Sequence, residues 1–255
     1  MINRALAVLL LATPAHAATC HYSGPTSYHG QVTATVTDTE TPAGLIIDVH
    51  LRLDATPWHI WPVQFLIQER STYRRGTLTA VEVNGRWSSN GTIRRQYWDV
   101  LTPGPTGLEA YRIQVKRQAD LQRRNPPFTP YWNPASFPQP WLATFTTANP
   151  DRRPDLDLPA AQILPNLKTP LALAFYWSRH PLAPTIPIFL PGWKHDARLT
   201  GTLTQSGPTT RLTLPHPALN AGSYIETTQN PHTLHLQAET TAGDGEATLT
   251  QTSCD

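Results

Sequence analysis

The amino-acid sequence predicts a mainly β fold: a curved antiparallel sheet, as a half-barrel or a lipocalin-like barrel, with one buried helix near 170–180 and a long Pro-rich excursion. Three observations carry that expectation. Apolar and polar side chains alternate with period two over many segments, Asx-Gly dipeptides punctuate them, and a single apolar stretch is framed by helix start and stop signals.

In chain order, residues 1–17 have the layout of a secretory signal peptide, with Arg4 near the start, an apolar run from Ala5 to Ala12, and Ala15-His16-Ala17 before a cleavage point. Cleavage leaves a single β-rich domain over 18–255, expected to be periplasmic or secreted. No later apolar stretch approaches the roughly 20 residues of a membrane-spanning helix. Thr19 and Ala17 fit a lipoprotein cleavage site poorly, which argues against a lipid anchor on Cys20. Cys20 and Cys254 are the only cysteines, one near each end of the exported chain. In an oxidising compartment they are expected to form a disulfide that ties the last strand to the first.

Strict alternation begins at Gln31. Val32, Ala34 and Val36 share one face and Thr33, Thr35 and Thr37 the other; after a turn at Pro42–Gly44, Ile47, Val49, Leu51 and Leu53 oppose Asp48, His50, Arg52 and Asp54. This is the pattern of a half-buried antiparallel hairpin. Alternation returns in 77–83, 108–115, 198–204, 210–214, 233–238 and 247–251. Asn84-Gly85, Asn90-Gly91 and Asp244-Gly245 tolerate positive φ and are read as hairpin turns. Between 118 and 170, prolines from Pro126 to Pro170 forbid regular central strands over most of the excursion, with 141–145 as one short strand inside it. Loops of this length tend to be lids, binding loops or linkers.

The helix is expected over 170–180. Thr169 stands as N-cap, Pro170 occupies the first helical position and Pro181 forces a stop. Leu171, Leu173, Ala174, Phe175, Tyr176 and Trp177 leave no wide polar face, so the helix should be buried across the concave side of the sheet.

Three stretches together resemble the exported bacterial proteins grouped as the domain of unknown function 3108 family: Pro170-Leu171-Ala172-Leu173-Ala174 ending in Arg179, Thr185-Ile186-Pro187-Ile188-Phe189 leading to His195-Asp196-Ala197-Arg198-Leu199, and Pro231-His232-Thr233-Leu234-His235-Leu236 running to Gly245-Glu246-Ala247-Thr248-Leu249. The chain departs from the family pattern at Leu190-Pro191-Gly192, where an acidic residue usually precedes the glycine. The resemblance implies a periplasmic setting and a mainly β fold similar to half-barrels that hold apolar ligands. It implies no catalytic residues.

The chemistry of the chain narrows function further. There is no G-x-S-x-G, H-E-x-x-H, C-x-x-C or phosphate-cradling glycine loop, which disfavours the familiar hydrolytic and redox schemes. No catalytic residue, metal site or cofactor is assigned. A formal charge of +2 gives no reason to expect nucleic acid as partner, and the doublets Arg74-Arg75, Arg94-Arg95, Arg123-Arg124 and Arg152-Arg153 read as solvated strand edges and loops. His50, beside Asp48 and Arg52, is a candidate acid or base but reads more simply as a surface residue. His195-Asp196, and His232 with His235, have spacings that send their side chains to opposite faces of a strand.

Aromatic residues stand out, with eight tryptophans in the chain. Trp58, Trp61, Trp132, Trp141, Phe175, Trp177 and Trp193 are the candidate binding residues, because flat apolar rings line apolar cavities or stack on sugars. Two functions follow. The first is a non-catalytic carrier or binding protein for an apolar molecule such as a lipid or acyl chain. The second is an envelope polysaccharide-binding or glycan-acting protein that uses the tryptophans as a platform, with Asp151, Asp155 and Asp157 the nearest acids.

Overall fold

A computed structural model describes residues 16–27, 29–57, 60–115, 156–159, 167–189, 198–214, 224–228, 232–240 and 243–255. The strands are β1 (His16–Thr26), β2 (Gly30–Thr41), β3 (Gly44–Ala55), β4 (Val63–Arg74), β5 (Thr77–Ser89), β6 (Thr92–Pro103), β7 (Gly107–Val115) and β8 (Leu156–Pro159). A helix α1 (Pro170–Phe175) and a 3-10 turn (Trp177–Arg179) follow, then β9 (Thr185–Phe189), β10 (Arg198–Ser206), β11 (Thr209–Thr213), β12 (Tyr224–Thr228), β13 (Thr233–Thr240) and β14 (Gly243–Cys254).

All fourteen strands belong to one sheet, in the order β8-β7-β6-β5-β4-β3-β2-β1-β14-β13-β12-β11-β10-β9. Each strand pairs antiparallel with its neighbour. The chain walks outward from the middle of the sheet to β8, re-enters at the opposite edge with β9, and walks back until β14 lies against β1. Cys20 and Cys254 are Cα partners in that central ladder and form the disulfide, 234 residues apart in sequence. Just beyond the bridge, Thr19 and Asp255 exchange two backbone hydrogen bonds of 3.3 and 2.9 Å.

Two consecutive residues show that the sheet bends. Lys168 pairs with the edge strand β9, its amide reaching the Pro187 carbonyl at 2.9 Å and its carbonyl accepting from the Phe189 amide at 2.7 Å. Thr169, next in the chain, donates its hydroxyl to Glu69 of β4. In the strand order β9 and β4 are nine positions apart, which on a flat sheet would be roughly 43 Å at about 4.8 Å per strand. One residue cannot span that gap, so the sheet curls until its β9 edge approaches β4, and α1 lies on the concave side against β3 and β4. The sheet is not closed, because β8 and β9 remain its two ends.

The core fills this concave side. Cys20, Tyr22, Val36, Ile47, Val49, Leu234 and Leu249 meet Ala172, Leu173, Ala174 and Phe175 of the helix in one cluster. The buried helix is therefore as expected, although it ends its α portion at Phe175 and tightens into the 3-10 turn before Pro181.

Two turn expectations are corrected. Asn84 and Gly85 lie in the middle of β5, opposite Gln68 and Ile67, and the β4–β5 turn falls at Arg75-Gly76, with φ of 49° and 76°. Gly85 serves a different need: a Cβ there would sit 2.0 Å from the Tyr97 ring, so glycine lets that ring lie flat across the strand. Asp244 and Gly245 likewise sit within β14, since Thr240 already pairs with Gly243. Asn90-Gly91 does form the β5–β6 turn, with φ of 49° and 72°. Within the proline-rich excursion β8 is a short edge strand ending on Pro159, where a missing amide costs least. The strand expected at 141–145 lies outside the described residues.

Candidate ligand-binding face

The upper part of the concave face is occupied by the helix and held by polar contacts buried in the core. Val49, Glu69 and Val83 form one row across β3, β4 and β5, which aims the Glu69 carboxylate at α1. One carboxylate oxygen accepts from the Thr169 hydroxyl, from Ser71 Oγ at 3.0 Å and from the Ala172 amide at 3.3 Å. Thr169 is thus at the cap position with extended backbone, but its side chain turns to the sheet while Glu69 supplies an acceptor to the first turn of the helix. Burial pushes the Glu69 pKa up, and the three donors oppose the rise.

Beside this latch the Lys168 ammonium lies 3.6 Å from the Trp177 ring centroid and 4.8 Å from that of Tyr73. The two rings meet edge to face at 5.5 Å. Burial lowers the Lys168 pKa to about 8, and the aromatic faces provide part of the stabilisation that water would have given its charge. At the far end of the helix Arg179 donates to the Phe175 carbonyl at 3.1 Å and reaches Cys20 Sγ at 2.8 Å, so the helix also rests on the disulfide seam.

These contacts decide what the expected binding residues do. Phe175 is wholly buried with its ring 5.2 Å from Tyr22, and Trp177 is engaged by Lys168; both hold the helix in place. Trp61 stands apart, 60% exposed in the β3–β4 connection. Trp58, Trp132, Trp141 and Trp193 lie outside the described residues. The described residues therefore do not bring the aromatic candidates into one platform.

A different apolar surface appears lower on the concave face. One row runs Ala34, Leu51, Ile67, Gly85, Tyr97 across β2 to β6, and the next runs Val32, Leu53, Phe65, Trp87 across β2 to β5. Val32 and Ala34 are buried, Leu51, Leu53, Ile67, Trp87 and Tyr97 are half-buried, and Phe65 is 39% exposed. Phe65 and Trp87 stack face to face at 6.0 Å and 10°. These two rows lie side by side on the concave face between the helix and the strand ends at 55–63, and we call this surface the trough. Sequence reading missed Phe65, Ile67, Trp87 and Tyr97. On β4 and β6 the alternation is masked, since β4 buries Gln68 and Glu69 in succession on opposite faces and β6 begins Thr-Ile-Arg-Arg-Gln. On β5 the alternation Val81, Val83, Trp87 is present but is cut short where Asn84-Gly85 reads as a turn.

On the convex face the same strands carry charge. Arg70 binds Asp48 in a two-pronged pair at 2.7 and 2.9 Å, and Glu82 is the next residue in that row. Burial raises the Glu82 pKa to about 7, with Arg70 opposing and Asp48 adding to the rise. Between an unfolded carboxyl near 4.3 and the folded value near 7, the folded chain holds the extra proton, so stability falls as pH rises through that window. Glu82→Gln is expected to stabilise the protein by about 1–3 kcal/mol at pH 8, after discounting for partial exposure, and to be close to neutral at pH 5. Urea unfolding at the two pH values checks this.

His50 lies on the convex face too, 3.3 Å from Gln68, with a pKa lowered first by burial. Its sequence neighbour Asp48 is engaged by Arg70. His235 contacts Thr248 at 2.9 Å and Glu246 at 3.3 Å, whereas His232 packs on Tyr22 with ring centroids 5.9 Å apart, so the two histidines do not converge. His195-Asp196, Asp151 and Asp155 lie outside the described residues. Among the described residues no three His, Cys, Asp or Glu side chains are grouped to hold a metal ion, and no helix is long and apolar enough to cross a membrane.

Near the lower end of the sheet Asp54, Ala55, Thr56, Pro62, Val63, Gln64, Ser88 and Gly91 surround an open depression of about 310 Å³. Comparison with protein-family models, with curated proteins and with solved structures finds nothing that matches this chain.

Proposed function

We propose that the chain is a non-catalytic periplasmic binding or carrier protein for an apolar ligand such as a lipid or acyl chain, seated in the trough below the helix. The observation that carries this reading is the half-exposed row Leu53, Phe65, Trp87 flanked by Leu51, Ile67 and Tyr97, an apolar surface on the concave side of a curled sheet. Adjacent apolar side chains that reach the surface together on a concave face, with Phe65 39% exposed among them, favour a ligand-binding groove. Each methylene removed from water contributes about 0.8 kcal/mol, so ten of them supply about 8 kcal/mol before the entropy of association is subtracted. The helix gives the trough a fixed upper wall, because its own aromatic residues are already engaged in the core.

The test is native mass spectrometry of protein purified without detergent, joined to titration with a fluorescent fatty acyl probe. Bound lipid, or saturable probe binding, is expected. Phe65→Asp should weaken probe binding at least tenfold while leaving the circular dichroism spectrum that of a β protein. Absence of both co-purifying lipid and probe binding in the wild-type chain would count decisively against this function.

A further inference from the structure

Among the described residues the exposed large apolar side chains are Ile60, Trp61 and Phe65, at 69%, 60% and 39%. All three fall within six consecutive residues, at one end of the sheet. The segment around them is anchored: the Asn90 amide bonds to the Pro62 carbonyl at 3.0 Å, tying the β3–β4 connection to the β5–β6 turn, and the Thr56 amide bonds to the His29 carbonyl at 3.3 Å. The backbone on both sides of Ile60 and Trp61 is thus tied to neighbouring turns.

One exposed cation, Arg94, stands at this end of the sheet without, among the described residues, an acidic residue of its own row. Arg94 is exposed just past the β5–β6 turn, and Arg52 and Arg86 occupy one row of the neighbouring strands on the convex face. Against them stands Asp54, which already accepts from Arg52 and from Gln64 at 2.8 Å. Exposed tryptophan and isoleucine with the exposed Arg94 at the same end of the sheet match the boundary between lipid headgroups and acyl chains, where the indole sits at headgroup level and a cation meets anionic phosphates. Phe65 belongs to the tip by sequence and stacks on Trp87 of the trough, which puts the start of β4 beside the proposed binding face.

We propose that the Ile60–Phe65 end of the sheet docks on an anionic phospholipid bilayer and is the mouth through which an acyl chain enters the trough. The inference rests on the carrier reading for what passes through the mouth, whereas the docking itself is measurable separately. The full exported chain is sedimented with vesicles of phosphatidylcholine alone and of phosphatidylcholine with phosphatidylglycerol. Wild-type protein is expected to sediment with the anionic vesicles at least tenfold more strongly than with the neutral ones, and to be released by raising the salt.

Ile60→Ser combined with Arg94→Glu should reduce anionic-vesicle binding at least tenfold, and Trp61→Ser at least threefold. Arg94→Glu alone, which alters no apolar residue of the mouth or of the trough rows, should bind the soluble acyl probe as the wild type does. Equal sedimentation of wild type and double variant, or none with any vesicle, overturns the docking surface while leaving the carrier reading intact if probe binding persists. Concentration-dependent self-association abolished by the same double variant, with no vesicle binding, also overturns it, since the tip would then meet a second copy of the chain. Vesicle binding without probe binding in the wild type would retain the surface and remove the ligand.

Discussion

Phe175→Ala is expected to lower the stability of the protein by about 3–5 kcal/mol, because it removes a fully buried aromatic ring and the surroundings cannot collapse completely into the space. The ring lies between the helix and the central strands, with Tyr22 edge-on at 5.2 Å. The Tyr22 hydroxyl reaches both the Phe175 carbonyl and Gln251 at 3.4 Å, so the loss of the ring also disturbs a contact between α1 and β14. Chemical denaturation gives the size of the effect, and Trp61→Ala, at an exposed position, serves as a control expected to stay within about 0.5 kcal/mol of wild type. The amides of Leu173 and Tyr176, bonded to Thr169 and Ala172 within the helix, should then exchange with solvent well before those of the β1–β2 ladder. If Phe175→Ala costs less than about 1 kcal/mol, the helix is not the wall of the concave face, and the trough loses its upper boundary.

How far the sequence disclosed this arrangement depends on what each strand buries. The β2–β3 hairpin was legible residue by residue, because one face is packed and the other solvated and apolar and polar residues alternate over 32–37 and again over 47–54. β4 was invisible for the opposite reason. Gln68 and Glu69 are both buried, one on each face, so polarity does not report which side meets the core. The Glu69 carboxylate is there for its contacts with Thr169, Ser71 and Ala172, and such a partner a hundred residues away leaves no local pattern. Asn84-Gly85 misled because the dipeptide favours positive φ, while the close approach of the Tyr97 ring asks of glycine only that it lack a side chain.

The expected tryptophans divided along similar lines. Composition signals that rings are present but not what occupies them, and Trp177 is occupied by the protein's own Lys168. The trough residues Phe65 and Trp87 come together only through the register of β4 against β5, which no single strand displays. The helix was legible because its signals are local: a proline at the first position, a proline after the end and an apolar surface all round.

Replacing both cysteines with serine is the other change expected to be large, at about 2–5 kcal/mol. A link across 234 residues restricts the unfolded chain by about 5 kcal/mol if loop closure alone is counted, and native or residual structure reduces that figure. The folded state has little reason to change, since the β1–β14 ladder continues from Thr19–Asp255 past the bridge to Thr26–Ala247 and holds its own hydrogen bonds. The effect should therefore act mainly through the unfolded state, which predicts a second signature. The released chain exposes more surface, so the dependence of stability on urea should steepen along with the fall in stability. Wild-type protein in excess dithiol should reproduce both changes. A fall in stability with an unchanged slope would place the effect in the native seam, where Arg179 contacts Cys20 and carries the end of the helix, and would make the disulfide a support for the concave face rather than a tether on the chain.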